Sequence, residues 1–307
     1  MVDLVIVGGG PAGVAAGVYA ARKRLKTVLI AEEIGGQSIV SSGIENWIGM
    51  REISGVELAK SFQTHLDAIK GDAVTLAVGE TVVMLEKGAE GFSVKTKTAK
   101  EFSAKAVLVA TGASRRKLNV PGAEKFENKG VTYCASCDGP LFADQDVAVI
   151  GGGNAGFETA LQLLAYAKSV TLIHRHKEFK ADPITVEKAS AHLNMRIITH
   201  AEPTEVMGEQ FVTGLKYENK DSGTVEDLAV AGIFVEAGVI PNTEFAKGLV
   251  EFDPIRRIKT DPRSQRTSHE GVWAAGDCTD ELYHQNNIAA GDGVKALEDI
   301  YLWIKKR

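Results

Sequence analysis

Residues 4–13 read LVIVGGGPAG, and residues 147–156 read VAVIGGGNAG. In each stretch four apolar residues run into three glycines, which predicts a buried parallel strand followed by a tight turn. Alanine-rich segments at residues 11–24 and 154–167 then predict a helix after each turn. The strands that follow these helices are predicted at residues 27–31 and 170–173. The chain therefore repeats one β-α-β unit, which indicates an α/β plan.

The two copies share a longer plan. Each is followed by turn-punctuated, alternating sequence that predicts antiparallel hairpins, at residues 81–102 and 211–230. Each hairpin region then leads into an apolar strand that ends in glycine, at residues 107–112 and 233–238. A third such strand end, residues 272–277, has no β-α-β unit of its own and is expected to complete one of the other two domains. The predicted fold is α/β, with two Rossmann-like three-layer nucleotide-binding domains that each carry a small antiparallel β-meander.

Composition excludes several classes of protein. The 307 residues give room for about two domains, and a net charge of −5 leaves no basic surface for nucleic acid. Contents of 44% hydrophobic and 24% charged residues are those of globular proteins. Residues 4–21 are uncharged, but glycines interrupt them and Asp3 precedes them, so neither a membrane span nor a signal peptide is predicted. A cytoplasmic protein is expected.

Both glycine-rich turns match the dinucleotide fingerprint G-x-G-x-x-G. Its glycines allow the tight turn, the approach of the backbone to a pyrophosphate and close packing of helix on strand. The first helical turn then offers free N–H groups and positive dipole to the phosphates. One such motif is weak evidence, whereas two in the same strand–turn–helix context are strong. The six motif glycines are Gly8, Gly10 and Gly13 in the first copy and Gly151, Gly153 and Gly156 in the second.

Opposite charges stand at the same offset from the two fingerprints. Glu32 follows the second strand of the first copy, and Arg175 takes the equivalent place in the second copy. A carboxylate there hydrogen-bonds a free ribose, while an arginine accommodates a 2′-phosphate. The first site thus favours FAD or NAD and the second NADP, although either residue could be an ordinary solvated charge. Two nucleotide domains without a separate substrate domain suggest hydride transfer from nicotinamide to flavin.

Cys134-Ala-Ser-Cys137, followed by Asp138, lies between the two fingerprints. A zinc site would need two more ligands, and Cys278 is remote in sequence. A structural disulfide is not expected in a cytosolic chain, and two inert buried thiols remain an alternative. The spacing favours a redox dithiol, with Asp138 as an acid–base group and Cys278 as an unreactive residue of the core or the flavin environment.

In order along the chain, the motifs together resemble low-molecular-weight thioredoxin reductase. They are GGGPAG at 8–13, GGQ at 35–37, ENW at 45–47, ATGA at 110–113, CASCD at 134–138, GGGNAG at 151–156, AGD at 275–277 and YHQ at 283–285. The CDGPLF stretch at 137–142 is similar also to the reductase component of the bacterial alkyl hydroperoxide system. That family carries an additional N-terminal thioredoxin-like part, whereas this chain begins at its first predicted strand.

The resemblance implies a discontinuous FAD-binding domain, residues 1–115 and 241–307, with an NAD(P)-binding domain of residues 116–240 inserted in it and carrying the cysteines. Connectors near residues 115–119 and 238–243 would act as hinges. By position, the residues around FAD would be Gly8, Gly10, Pro11, Ala12, Gly13, Glu32, Gly36, Gln37, Asn46, Thr111, Gly112, Gly276, Asp277, His284, Gln285 and Asn286. Those around the nicotinamide nucleotide would be Gly151, Gly153, Asn154, Ala155, Gly156, Arg175, His176 and Lys180.

The resemblance also implies the reaction. Electrons would pass from NADPH through FAD and the Cys134–Cys137 disulfide to a thioredoxin or thioredoxin-like protein, and the enzyme would be a homodimer without a metal. Cys137 would face the flavin and exchange with the substrate disulfide, Cys134 would be its partner, and Asp138 the acid–base group.

Two departures from the family pattern affect these expectations. The coenzyme loop has His176 and Lys180 where arginine is usual, so NADPH is expected to be preferred less strictly and NADH to be possible. His284 also stands in place of an arginine. Three alternatives remain: an NADH-preferring reductase of a peroxiredoxin system that acts on a small dithiol carrier, a flavin reductase or oxidase with an incidental dithiol, and a non-catalytic nucleotide-sensing flavoprotein.

Overall fold

The computed structural model describes residues 1–41, 44, 46–133 and 135–307. The chain forms two compact units. One joins Met1–Ser114 to Ile240–Arg307, and the other is Arg115–Val239. Each junction lies one residue earlier than the sequence suggested.

The N-terminal segment of the first unit contains the first β-α-β unit and a meander. Helix α1 ends at Arg22, two residues before its expected end, because Arg24 takes a positive φ of 53° and the N–H of Leu25 donates back to the Ala20 carbonyl. The elements are β1 (Val2–Val7), α1 (Pro11–Arg22), β2 (Thr27–Ala31), α2 (Gly55–Ile69), β3 (Val74–Val78), β4 (Val82–Lys87), β5 (Phe92–Thr96), β6 (Glu101–Val109) and β7 (Ala113–Arg115).

The second unit contains the second copy. Helix α4 ends at Leu163 and not at Ala167, because the amides of Tyr166 and Ala167 both return to the Leu163 carbonyl. The elements are β8 (Val131–Thr132), α3 (Ala135–Asp138), β9 (Asp146–Ile150), α4 (Asn154–Leu163), β10 (Ser169–Ile173), α5 (Pro183–Ser190), β11 (Met195–Ile198), β12 (Ala201–Gly208), β13 (Val212–Asn219), β14 (Thr224–Ala229) and β15 (Gly232–Val235).

The chain then returns to the first unit. Strand β16 pairs with β7, so the two segments that link the units form a two-stranded sheet. The remaining elements are β16 (Val239–Pro241), β17 (Val272–Ala274) and α6 (Asn286–Lys305).

The main sheet of the first unit has the order β3-β2-β1-β6-β5-β4, and β17 also pairs with β6. Strands β1, β2, β3, β6 and β17 are parallel, while β4 and β5 run antiparallel. Leu108 aligns with Ile6 on one side and with Trp273 on the other. The isolated strand end at residues 272–277 therefore completes the first unit, and the carboxyl ends of β1, β2, β6 and β17 meet at one edge.

The sheet has a hydrophobic core on each of its two faces. Leu4 and Ile6 face a core closed by α1, α2 and α6, whereas Val5 and Val7 face a core closed by the meander. Gly17 lets α1 approach β2 and α2 closely, since a Cβ there would lie 3.1 Å from side-chain atoms of Leu29 and Leu66.

The second unit has the same plan. A parallel sheet of order β11-β10-β9-β15-β8 stands beside the antiparallel sheet β12-β13-β14. Val149 and Phe234 pack with Phe157 of α4 on one face, and Ile150 and Val235 pack with the meander on the other. The predicted fold class is confirmed. Over the described ranges, no helix has the length and apolarity needed to cross a bilayer.

Candidate active site

A cavity of about 720 Å³ opens at the carboxyl edge of the parallel strands of the first unit. Its lining comes from the first unit alone. Open α/β sheets bind ligands at this edge, outside the carboxyl ends of the strands. The cavity therefore lies where the sequence predicts the flavin nucleotide.

The first fingerprint builds one wall of this cavity. Gly8 has a φ of +121°, and a Cβ there would lie 2.0 Å from the carbonyl oxygen of Ala110. A Cβ on Gly13 would lie 1.9 Å from the oxygen of Gly8, so helix α1 can pack on the turn only without one. At Gly10 a Cβ would meet nothing within 4 Å, because this glycine borders the open cavity.

The N-terminus of α1 faces the same space. Gly10 is its N-cap, no side chain caps the helix, and its first turn has no acidic residue. Free N–H groups and the positive end of the dipole are thus available to an anionic ligand. Together with the shape of the glycine turn, this arrangement fits the pyrophosphate of FAD.

Polar side chains close the cavity where β17 and α6 meet it. Asp277 follows β17, and burial raises the pKa of its carboxyl, with Asp292 adding to the rise and His284 opposing it. Asn286 begins α6 and accepts a hydrogen bond of 3.0 Å from the Ser38 hydroxyl. These groups provide hydrogen-bonding partners for the polar parts of a flavin nucleotide.

Most of the residues predicted around FAD line this cavity. The lining includes Gly8, Gly10, Pro11, Ala12, Glu32, Gly36, Gln37, Thr111, Gly112, Gly276, Asp277 and Asn286.

Four predicted residues take other places. Gly13 packs under the turn, and Asn46 donates to the Gln285 side chain at 3.1 Å. His284 donates from Nε2 to the Glu281 carbonyl at 3.0 Å and is not among the lining residues. Asn46 and Gln285 are far apart in the sequence, so the position of either residue in its motif does not show this contact.

Asn242 and Glu80 are among the lining residues that the sequence did not predict. Asn242, in the stretch after β16, exchanges two hydrogen bonds with Thr111, of 2.7 and 3.1 Å, and accepts one from Ser114. Glu80 is buried, and its contacts with Lys100, at 2.8 Å, and with Thr98 and Thr96 lower the pKa of its carboxyl to about 2. For Asn242, the sequence signal is its place directly after the return to the first unit.

Cys278 follows Asp277 and is fully buried, which raises the pKa of its thiol to about 11. At about pH 8, roughly one thiol in a thousand would be a thiolate, so we expect no reaction with iodoacetamide in the native protein. Peptide mapping should find Cys278 alkylated only after unfolding. Rapid labelling of the native protein would show instead that this thiol is accessible.

The second fingerprint repeats this geometry in the second unit. Gly151 has a φ of +129°, and a Cβ there would lie 2.1 Å from the Glu236 carbonyl oxygen. Gly153 is the N-cap of α4, which has no side-chain cap, and a Cβ on it would meet nothing within 4 Å. This turn fits the pyrophosphate of a second nucleotide.

His174, at the end of β10, supports that turn. Its Nδ1 accepts from the Gly152 amide at 3.1 Å, and its Nε2 donates to the Glu178 carbonyl at 3.1 Å. Burial lowers the pKa of the ring. His174 is therefore a neutral support of the turn. Arg175, His176 and Lys180 follow it on an exposed loop.

Glu236 is a partly buried carboxylate beside the second turn. It accepts from the Thr159 hydroxyl at 2.9 Å and pairs with Arg115 at 3.4 Å. Burial raises the pKa of this carboxyl, and the charge of Arg115 opposes the rise. No sequence motif pointed to this residue.

The redox motif lies near β8. Cys134 and Glu45, which belong to motifs quoted above, lie outside the described residues, and of Cys137 only the backbone, in α3, is described. Asp138 ends α3, and its carboxylate accepts a hydrogen bond from the Thr132 hydroxyl on β8. Thr132 is thus placed to orient the predicted acid–base group.

Known proteins are similar to this chain over nearly its whole length. A family model described as pyridine nucleotide-disulphide oxidoreductase matches residues 2–293. The alkyl hydroperoxide reductase F component of Xanthomonas campestris pv. phaseoli is 43% identical over 296 residues, 96% of this chain and 55% of that protein. The same component of Staphylococcus aureus strain Mu50 is 42% identical over 302 residues, 98% and 59% of the two chains. The chain thus spans little more than half the length of these curated relatives.

Solved structures match over their full length. Thioredoxin reductase of Lactococcus lactis, in its FR conformation, has 34% identity and a TM-score of 0.90, and the match covers 100% of each chain. Thioredoxin reductase of T. acidophilum has 35% identity and a TM-score of 0.85 over 98% of each chain. The resemblance noted in the sequence is confirmed.

The cofactors expected from the sequence, FAD and NADPH or NADH, agree with these matches. FAD and NAD(P)H are the cofactors of the matched family and of its thioredoxin reductases. The two cradles, one at each fingerprint, fit two such nucleotides. The chain belongs to the pyridine nucleotide-disulphide oxidoreductase family.

Proposed function

We propose that this chain is a thioredoxin-disulfide reductase that uses NADPH, FAD and the Cys134–Cys137 pair. The observation that carries the proposal is the end-to-end match to thioredoxin reductase structures, together with a Cys-x-x-Cys-Asp motif in the unit that has the second fingerprint. Overall, NADPH and a proton reduce one protein disulfide to a dithiol, and NADP⁺ is released.

The first unit would hold FAD. The glycine turn and the N-terminus of α1 would receive its pyrophosphate, Glu32 would bind its ribose, and Asp277 and Asn286 would bind polar groups near α6. When bound, FAD supplies a carrier that accepts two electrons from a nicotinamide and gives them to a disulfide.

The dithiol would carry out the exchange with substrate. The thiolate of Cys137 attacks the substrate disulfide, releases one substrate sulfur as a thiolate and leaves a mixed disulfide. Cys134 then attacks the Cys137 sulfur, which frees the second substrate thiol and restores the internal disulfide. Asp138, oriented by Thr132, would deliver or take the protons of these sulfurs.

A second candidate is the NADH-preferring reductase of a peroxiredoxin system. The identity of 42–43% to the F components of alkyl hydroperoxide reductase favours it, as do His176 and Lys180 in the coenzyme loop. The physiological acceptor would then be a small dithiol carrier. Parallel assays with thioredoxin and with such a carrier separate the two functions.

Anaerobic titration of the purified holoenzyme with NADPH tests the shared part of both proposals. We expect each chain to oxidise about two equivalents of NADPH, one to reduce FAD and one to reduce the disulfide. Uptake of a single equivalent would mean that the cysteines do not exchange electrons with the flavin. No reduction by either NADPH or NADH would favour the nucleotide-sensing alternative.

A further inference from the structure

Cations dominate the exposed loop that follows β10. Residues 175–180 include Arg175, Lys177 and Lys180, with His176 between the first two. The Nε–H of Arg175 donates to Nε2 of His176 at 3.0 Å, so this ring accepts through Nε2 and carries its proton on Nδ1. One cation of the loop is thus already engaged with a neighbour.

A carboxylate from another element reaches the same loop. Asp221 lies in the turn between β13 and β14, and its Oδ1 is 2.8 Å from Nζ of Lys177 and 2.8 Å from Nδ1 of His200. The Asn219 side chain fixes that turn by accepting from the amides of Asp221 and Ser222, at 3.0 and 3.3 Å. Lys177 is therefore paired with Asp221, and the turn holds Asp221 in place.

The backbone ties the two segments together. The amide of His200 donates to the carbonyl of His176 at 3.1 Å, and the amide of Lys220 donates to the carbonyl of His200 at 2.8 Å. The side chain of Asp221 is half exposed, so it stays accessible to a ligand of the loop. Lys177 and His200 lower the pKa of its carboxyl, which keeps Asp221 negative at neutral pH.

We propose that Asp221 is a specificity-determining residue that weakens the preference of the second unit for NADPH over NADH, by pairing with Lys177. The inference rests on the proposed binding of a nicotinamide nucleotide by this unit. A 2′-phosphate has to compete with Asp221 for the ammonium group and is repelled by the carboxylate. NADH has no 2′-phosphate, so its binding does not depend on this pair.

The effect is modest because the pair is exposed. Surface ion pairs have small energies, and we expect Asp221→Asn to tighten the binding of a 2′-phosphorylated nucleotide by about two- to fivefold. The amide keeps the size of the side chain, and the turn keeps its hydrogen bond from the backbone amide of residue 221 to the Asn219 side chain. Glu205→Gln is a matched control, because Glu205 is a half-exposed carboxylate 3.1 Å from Lys216 in the same β12-β13-β14 sheet.

Calorimetric titration of the holoenzyme variants with ADP-ribose and with its 2′-phosphate tests the proposal without turnover. Asp221→Asn should tighten only the phosphorylated probe, and Glu205→Gln should change neither affinity. When Lys177→Gln is already present, Asp221→Asn should tighten the phosphorylated probe less than it does in the wild-type protein. Only the repulsion between the Asp221 carboxylate and the 2′-phosphate is then left to remove. Unfolding curves and flavin content establish that each variant is folded. If Asp221→Asn does not fold, Asp221→Ser replaces it in the same titrations.

The outcomes that overturn the proposal are distinct from failure of the proposed function. An unchanged affinity ratio in Asp221→Asn, or equal tightening of both probes, would exclude a role of Asp221 in coenzyme choice. A wild-type protein that binds both probes but reduces no protein disulfide would refute the proposed function alone. Binding of neither probe would refute both.

Discussion

Replacement of Gly8 by alanine is expected to yield a protein that retains little or no FAD after purification and unfolds more readily. At this position φ is +121°, a conformation that costs an L-residue on the order of 1–3 kcal/mol. The added Cβ would also lie 2.0 Å from the oxygen and 2.5 Å from the carbon of the Ala110 carbonyl. Ala110 follows β6, so the neighbouring strand end has to move and the cradle is distorted. Flavin absorbance per chain and the denaturation midpoint measure both effects.

Two further variants separate this effect from a general response to Gly→Ala changes. Gly291 is exposed within α6 and a Cβ there would meet nothing within 4 Å, so Gly291→Ala should retain FAD and full stability. Gly151→Ala places a Cβ 2.1 Å from the Glu236 oxygen. It should keep FAD but lose reduction by NADPH, while dithionite still bleaches the flavin. Stoichiometric flavin in Gly8→Ala would contradict the assignment of the first cradle.

The sequence predicted the features that depend on local pattern. Apolar runs that end in glycine marked β1, β9 and β17, because a buried parallel strand and a positive-φ turn leave that trace. It placed the end of α4 too late, since residues 164–167 contain no glycine or proline and the last turn closes through backbone hydrogen bonds.

Contacts between distant segments have no local sequence pattern and were not predicted. Asn242 meets Thr111 across 131 residues, and Asp221 meets Lys177 across a sheet turn. Neither pair has a spacing rule, because the fold and not the local sequence brings the partners together.

The change Cys137→Ser is expected to abolish reduction of thioredoxin, by at least about a thousandfold in turnover, as removal of other covalent nucleophiles does. A serine hydroxyl cannot form or exchange a disulfide. The glycine cradles are untouched by this change, so NADPH should still bleach the flavin, and uptake in the anaerobic titration should fall to about one equivalent. Stopped-flow absorbance and insulin-coupled turnover measure the two halves of the reaction separately. Retained turnover with thioredoxin would refute the role proposed for Cys137.

Cys134→Ser is the matched control, because it removes the same atom from the other half of the pair. Cys137 can then still attack a substrate disulfide, but no second thiol resolves the mixed disulfide. This variant should therefore accumulate a covalent complex with oxidised thioredoxin, visible on a non-reducing gel and released by dithiothreitol, whereas Cys137→Ser should not. Trapping by Cys137→Ser in place of Cys134→Ser would reverse the proposed roles of the two sulfurs while leaving the dithiol mechanism intact. Trapping by neither variant, with turnover unchanged in both, would leave the flavin alone as the reductant of the substrate.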